Sequence, residues 1–127
     1  IYLSNYKRIF EKNQLQNIFW ITPQTSKKRI EYIDKNSDGF LYVVSSSSIT
    51  GSTNKFDERS INYFKKLEKM NLSTPKIIGF GISDNENFSL ASKYSKGCIV
   101  GSAFIKYIQK NGLKNIHNFI NQIKKGN

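Results

Sequence analysis

Three short stretches of this 127-residue chain bring an apolar run to an end in glycine and small polar residues: Ile49-Thr50-Gly51-Ser52, Gly79-Phe80-Gly81-Ile82-Ser83 and Gly101-Ser102-Ala103. Glycine weakens the packing of a strand, so its presence there marks a place where backbone must come close to something else. Three such loops side by side would make a cradle for an anionic group such as a phosphate. Main-chain N–H groups supply the donors, the missing Cβ atoms let them approach, and a helix opening at Ser102 adds its dipole and free amides. Gly51, Gly81, Gly101 and Ser102 are therefore the candidate phosphate-binding residues, and this grip does not require lysines. Other chemistry is thinly represented. Cys98 and His117 are the only residues of their types, which leaves no intrachain disulfide, no zinc ligand set and no adjacent Cys–His pair. Cys98 reads as a buried structural thiol and His117 as a solvated or capping residue. No strand-like run ends in Asp or Glu. Asp57, Asp84 and Glu86 stand at helix starts, where carboxylates serve as caps, and Asp38 stands at the entrance to a strand.

The elements that would position these loops follow one grammar. Tyr2, Leu3, Tyr6, Ile9 and Phe10 give an amphipathic helix to about Gln14, and Ile18 to Ile21 is a strand closed by Pro23. Ser26 caps a helix with Ile30 and Ile33 on its apolar face, and Gly39 reads as its stop. Gly39 to Val44 is a strand apolar on both faces, as in a parallel sheet covered on both sides. The serine run 45–48 then leads into a functional loop. Asp57 caps the next helix, with Phe56 stapled onto Ile61 and the stripe continued by Phe64 and Leu67. Pro75 precedes a strand, Lys76 to Phe80, and Ser83-Asp84-Asn85-Glu86 forms a capping box for a helix carrying Phe88 and Leu90. Cys98 to Val100 is the last strand. A short helix opens at Ser102, Gly112 stops it, and Leu113, Ile116, Phe119, Ile120 and Ile123 line one side of a final helix. Helix, then four strand–helix units without a hairpin signal, makes an α/β fold with parallel strands, and residues 1–127 read as one unit without an internal linker.

Composition narrows the function classes. With 38% hydrophobic and 13% aromatic residues the chain is not disordered, and no apolar run reaches the ~18 residues of a membrane span. The lone cysteine suits a reducing, cytoplasmic setting. The formal charge of +11 raises a basic, noncatalytic nucleic-acid-binding module as an alternative. Its lysines and arginines, however, are spread over the polar sides of separate helical segments (Lys7, Lys27, Lys65, Lys106 and their neighbours) and interleaved with Glu11, Glu31, Glu58 and Glu68. That is the pattern of outward helix faces.

Taken in order, Tyr42-Val43-Val44-Ser45, Ile49-Thr50-Gly51, Gly79-Phe80-Gly81-Ile82-Ser83 and Ile99-Val100-Gly101-Ser102-Ala103 resemble the C-terminal half of the tryptophan synthase alpha subunit family, and Ile18-Phe19-Trp20-Ile21-Thr22-Pro23 resembles the strand before them. The resemblance implies a (β/α)8 TIM barrel of which this chain, against the ~250 residues of a whole one, carries about half. It implies retro-aldol cleavage of indole-3-glycerol phosphate to indole and glyceraldehyde 3-phosphate. The indole would pass to a beta subunit partner that holds the pyridoxal phosphate, with no cofactor on this chain. By position, Gly51, Gly81, Gly101 and Ser102 would hold the phosphate, and Trp20, Tyr42, Thr50, Phe80 and Ile99 would line the indole and glycerol pocket. Trp20 stands where the family usually has a smaller aliphatic residue, and Ser46 and Ser48 stand where it commonly has Arg and Gly. The family's catalytic Glu and Asp belong to the earlier half, so this segment alone is expected to be inactive. Its open sheet is expected to need the N-terminal half of a barrel, or a second copy, to cover it. Another lyase or isomerase on a phosphate-binding barrel is the alternative that keeps the same site.

Overall fold

The computed structural model of the chain describes residues 2–45 and 55–126. Four parallel strands, β1 (Phe19–Ile21), β2 (Leu41–Val44), β3 (Lys76–Gly79) and β4 (Gly97–Ile99), form one sheet in the order β1-β2-β3-β4. Each strand pairs with the next in sequence, so the sheet lacks the reversal of strand order that marks a doubly wound fold. Helices α2 (Lys27–Asp34), α3 (Glu58–Lys69) and α4 (Asn85–Ser92) lie in the three connections between strands. A π-helical turn at Tyr2–Tyr6 and α1 (Lys7–Lys12) precede β1, while α5 (Ser102–Asn111), a 3-10 turn (Leu113–Asn115) and α6 (Ile116–Lys125) follow β4. This is the strand–helix arrangement of half a (β/α)8 barrel.

Register sorts the side chains. Phe19 lies beside Leu41, Ile21 beside Val43, and Val43 beside Ile78, which is beside Cys98. Partners in parallel strands share a face. On this face Ile21, Leu41, Val43 and Ile78 are buried against Ile30 and Ile33 of α2, Phe64 and Leu67 of α3, and Ala91 of α4. Each such aliphatic or aromatic side chain contributes about 1.5–3 kcal/mol by leaving water. The opposite face carries Trp20, Tyr42 and Ile77 side by side, then Gly79 beside Ile99. The expectation that both faces of β2 are covered holds for only one of them. Tyr42 and Val44 are half-buried, and Trp20 is 67% exposed.

Most local signals act where the spacing predicts them, with shifts of a residue or so. Ser26 Oγ accepts from the Arg29 amide at 3.3 Å, and Asp57 Oδ1 accepts from the Ser60 amide at 2.8 Å. The cap of α4 is Asp84, which accepts from the Asn87 amide at 2.9 Å. The box expected from Ser83 is thus displaced by one residue: a carboxylate holds two acceptor oxygens where the Ser83 hydroxyl holds one, and Ser83 Oγ donates to Asp84 instead, at 3.3 Å. Phe56 meets Phe64 edge-on, with centroids 5.3 Å apart, so its aromatic contact lies one turn beyond Ile61. Gly39 is not a helix stop. Helix α2 ends at Asp34, and a Cβ at Gly39 would press on Ile18 Cδ1 at 2.9 Å, so the glycine is needed for close approach. Gly112 does stop α5, at φ 71°. Of the apolar side of the last helix, Phe119 and Ile123 are buried, while Leu113 and Ile120 are exposed. Cys98 is half-buried, and His117 is exposed.

Candidate functional site

The C-terminal ends of β2, β3 and β4 open on a cavity of about 570 Å³. Tyr42 reaches it from β2, Phe80 and Gly81 from the loop after β3, Ile99 from β4, and Gly101 and Ser102 from the start of α5. Six of the nine site residues expected from sequence thus share one wall-to-wall space. Trp20 shares their sheet face beside Tyr42 but does not line this cavity. Thr50 and Gly51, like Ser46 and Ser48, lie outside the described residues.

The loop after β3 is the most constrained part of the wall. Phe80 has φ 68° and Gly81 has φ 72°, two consecutive residues in the left-handed region. Glycine takes that conformation freely, whereas an aromatic residue there is strained. The ring of Phe80 is 54% exposed and stands edge-on to Tyr42 with centroids 6.1 Å apart. The Tyr42 ring in turn occupies the space that a side chain at Gly79 would fill: a Cβ there would overlap the phenol ring and hydroxyl. Gly79 therefore matters because it lets Tyr42 lie across β3. Burial pushes the Tyr42 hydroxyl above its ordinary value of 10.0.

Hydrogen bonds fix this loop from behind. Ser45, 1% exposed, donates its amide to the Gly79 carbonyl at 3.2 Å and its hydroxyl to the Phe80 carbonyl at 2.7 Å. Asn87, 2% exposed, donates Nδ2 to the Gly81 carbonyl at 3.0 Å. At Gly101, with φ −106° and ψ −83°, no side chain caps α5, and a Cβ would meet nothing within 4 Å. The opening turn of α5 thus has no side-chain cap, and Gly101 and Ser102 at that turn line the cavity, which is where anion sites at helix starts form.

Lys106 is the one charged residue among the described lining residues, and no carboxylate lines the cavity among them. By charge spacing alone Lys106 belongs to an outward helix face. Its spacing of four from Ser102 carried the missed signal, because residues four apart stack on one helix face. Ser45 and Asn87 were also missed, since their contribution depends on contacts 35 and 6 residues away. The acidic residues have other work. Asp57 and Asp84 cap helices, and the Ser60 hydroxyl and amide hold the Asp57 carboxyl below its ordinary 3.8. Glu86 pairs with Lys55 at 2.9 Å. Burial pushes the Cys98 thiol up, with Ser92 Oγ at 3.7 Å, so no reactive thiolate is prepared there. Among the described residues no group of His, Cys, Asp and Glu is arranged to hold a metal ion, and no helix is long and apolar enough to cross a membrane.

Comparison with known proteins gives a consistent result. The family model described as tryptophan synthase alpha chain matches residues 3–126. A tryptophan synthase alpha chain from Flavobacterium psychrophilum is 54% identical over 123 residues, which is 97% of this chain and 49% of that relative. One from Christiangramia forsetii is 51% identical over 124 residues, covering 98% of this chain and 48% of the relative. The chain thus spans about half the length of these curated relatives. Among solved structures, tryptophan synthase subunit alpha from Campylobacter jejuni superposes with a TM-score of 0.76 at 25% identity, over 91% of this chain and 46% of that one. The tryptophan synthase A-subunit from Pyrococcus furiosus superposes with a TM-score of 0.79 at 22% identity, over 96% and 50% respectively, and supports the fold alone.

Proposed function

Because the chain belongs to the tryptophan synthase alpha chain family, we propose that it supplies the phosphate grip and part of the indole pocket for cleavage of indole-3-glycerol phosphate to indole and glyceraldehyde 3-phosphate. The observation that carries this reading is the cavity in which Gly81, Gly101 and Ser102 meet Tyr42, Phe80 and Ile99 with no carboxylate among its described lining residues. Gly81, Gly101 and Ser102, joined by Gly51, bind the phosphate through main-chain N–H groups, and the Ser102 hydroxyl adds one donor. Tyr42, Phe80 and Ile99, with Thr50, give the apolar and hydroxyl-bearing wall for indole and glycerol. Trp20 closes the same sheet face one strand away.

Proton transfer at the indole ring needs a positioned acid and base, and no carboxylate stands among the described residues of this cavity. Those carboxylates come from a first half of the barrel, which also covers the exposed sheet face and pairs with the free edges of β1 and β4. Residues 1–127 act as one partial domain, in the cytoplasm, and the released indole passes to a beta subunit that carries pyridoxal phosphate. Joining this chain behind the first half of the Flavobacterium psychrophilum relative tests the reading. The chimera is expected to release indole from indole-3-glycerol phosphate and to bind indole-propanol phosphate. A folded chimera that does neither removes the proposed substrate. The chain by itself is expected to dimerise or aggregate, and a clean monomer by light scattering counts against the half-barrel pairing.

A further inference from the structure

Resting on that phosphate reading, we propose that Ser45 and Asn87 are the positioning residues of the site: they pin consecutive carbonyls of the loop after β3 inward and thereby turn its amides toward the anion. In a trans peptide the C=O of one residue and the N–H of the next point in opposite directions across a rigid plane. The Gly79 carbonyl accepts from the Ser45 amide at 3.2 Å, the Phe80 carbonyl accepts from Ser45 Oγ at 2.7 Å, and the Gly81 carbonyl accepts from Asn87 Nδ2 at 3.0 Å. The N–H groups of Phe80, Gly81 and Ile82 are thereby directed away from those donors, and all three residues line the cavity. The Ser45 hydroxyl has one proton to give. Its 2.7 Å contact with Phe80 is much closer than its 3.1 Å contact with Gly79, so the strained residue receives the bond.

Both pins come from rigid neighbours. Ser45 directly follows β2, and Asn87 lies in the first turn of α4, its own amide held by Asp84 at 2.9 Å. The left-handed pair Phe80–Gly81 is thus determined from two sides, which is what lets a strained conformation persist. Neither side chain lines the cavity, so neither touches the anion, and their effect on it passes through the loop.

The test is titration with inorganic phosphate of the chimera in which the first half of the relative covers the sheet, followed by NMR at the amides of Gly81, Ile82, Gly101 and Ser102, with the three-bond coupling of Phe80 reporting its φ. In the wild type all four amides are expected to shift. If none does, the phosphate reading fails, and with it any purpose for the pins. Ser45→Ala is expected to move the Phe80 coupling and weaken phosphate about tenfold, the scale of a lost charge-assisted hydrogen bond, while Gly101 and Ser102 still respond at higher phosphate. Asn87→Leu is expected to act in the same direction through Gly81. The control is Asp34→Asn, which removes hydrogen bonds at the far end of the sheet and should leave the affinity within about twofold. A Ser45→Ala chain that keeps both the wild-type coupling and the wild-type affinity overturns the proposal. So does failure of both Ser45→Ala and Asn87→Leu to fold, which would make the pair purely structural.

Discussion

The two ends of the sheet use the same device with opposite polarity. At the end where strands enter, Asp34 at the close of α2 reaches the loop before β3: its carboxylate accepts from the amide and hydroxyl of Ser73 at 2.9 and 3.0 Å and from the amide of Thr74 at 2.8 Å, and Thr74 Oγ1 donates to the Asp34 carbonyl at 3.1 Å. At the end where strands exit, Ser45 and Asn87 are donors and the loop carbonyls accept. An acceptor from the protein consumes amides, and a donor from the protein turns them outward. The entry end therefore carries its own built-in anion, whereas donors behind the exit-end loop are what the proposed phosphate site requires. Barrel folds divide stability and chemistry between their ends in this way, and here the division is visible in which partner supplies the proton.

Substitutions at each end should separate the two roles, beginning with the largest effect. Gly79→Ala forces a methyl group into the Tyr42 ring. Overpacking of this kind costs about 2–3 kcal/mol, measurable by urea denaturation, and the displaced ring should also distort the cavity. Asp34→Asn should cost about 2 kcal/mol through a weakened amide clamp while leaving phosphate binding near wild type. Equal losses of stability and binding would erase the contrast between the ends. Its pH dependence has a definite sign. Burial pushes the Asp34 carboxyl up, but the hydrogen bonds from Ser73 and Thr74 outweigh that and hold it below 3.8. The clamp's contribution is then complete above the unfolded value near 3.8 and is lost as pH falls through the lower folded value. The stability gap between wild type and Asp34→Asn should close on acidification below that point.

Gly81→Ala sharpens the comparison from the exit end. With φ 72° and a Cβ that would lie 3.4 Å from the Phe56 ring, it should cost about 1–2 kcal/mol of stability and weaken phosphate binding, where an Asp34 variant does not. The smallest effect belongs between the ends. The Tyr63 hydroxyl on α3 is buried without a hydrogen-bond partner among the described residues, so Tyr63→Phe should be neutral or stabilise by up to about 1 kcal/mol in a thermal melt.

Much of the frame was legible because it rests on local chemistry. Ser26 and Asp57 announce their helices, and the apolar runs of β2, β3 and β4 read as strands of a parallel sheet. Gly81 and Gly101, which line the candidate cavity, were legible for the same reason, since a missing side chain is visible in sequence. The polar groups that act at a distance were not legible. Ser45 reads as the first of four serines, and nothing local says that its hydroxyl serves a carbonyl 35 residues away. Asn87 reads as an ordinary helix residue, yet it is among the most deeply buried polar groups. The misreading of Gly39 has the same origin: the crowding that requires it comes from Ile18, which is distant in sequence and adjacent only once β1 and β2 have paired.

The fit of the Tyr42 ring over Gly79 also restricts how the two positions can change over evolutionary time. A side chain at 79 is inadmissible while the phenol lies there, and shortening residue 42 leaves a hollow that a larger residue at 79 could refill. Along any lineage of such chains the two sites should be inherited as a pair, so that a replacement harmful at either one alone becomes harmless once the other has yielded.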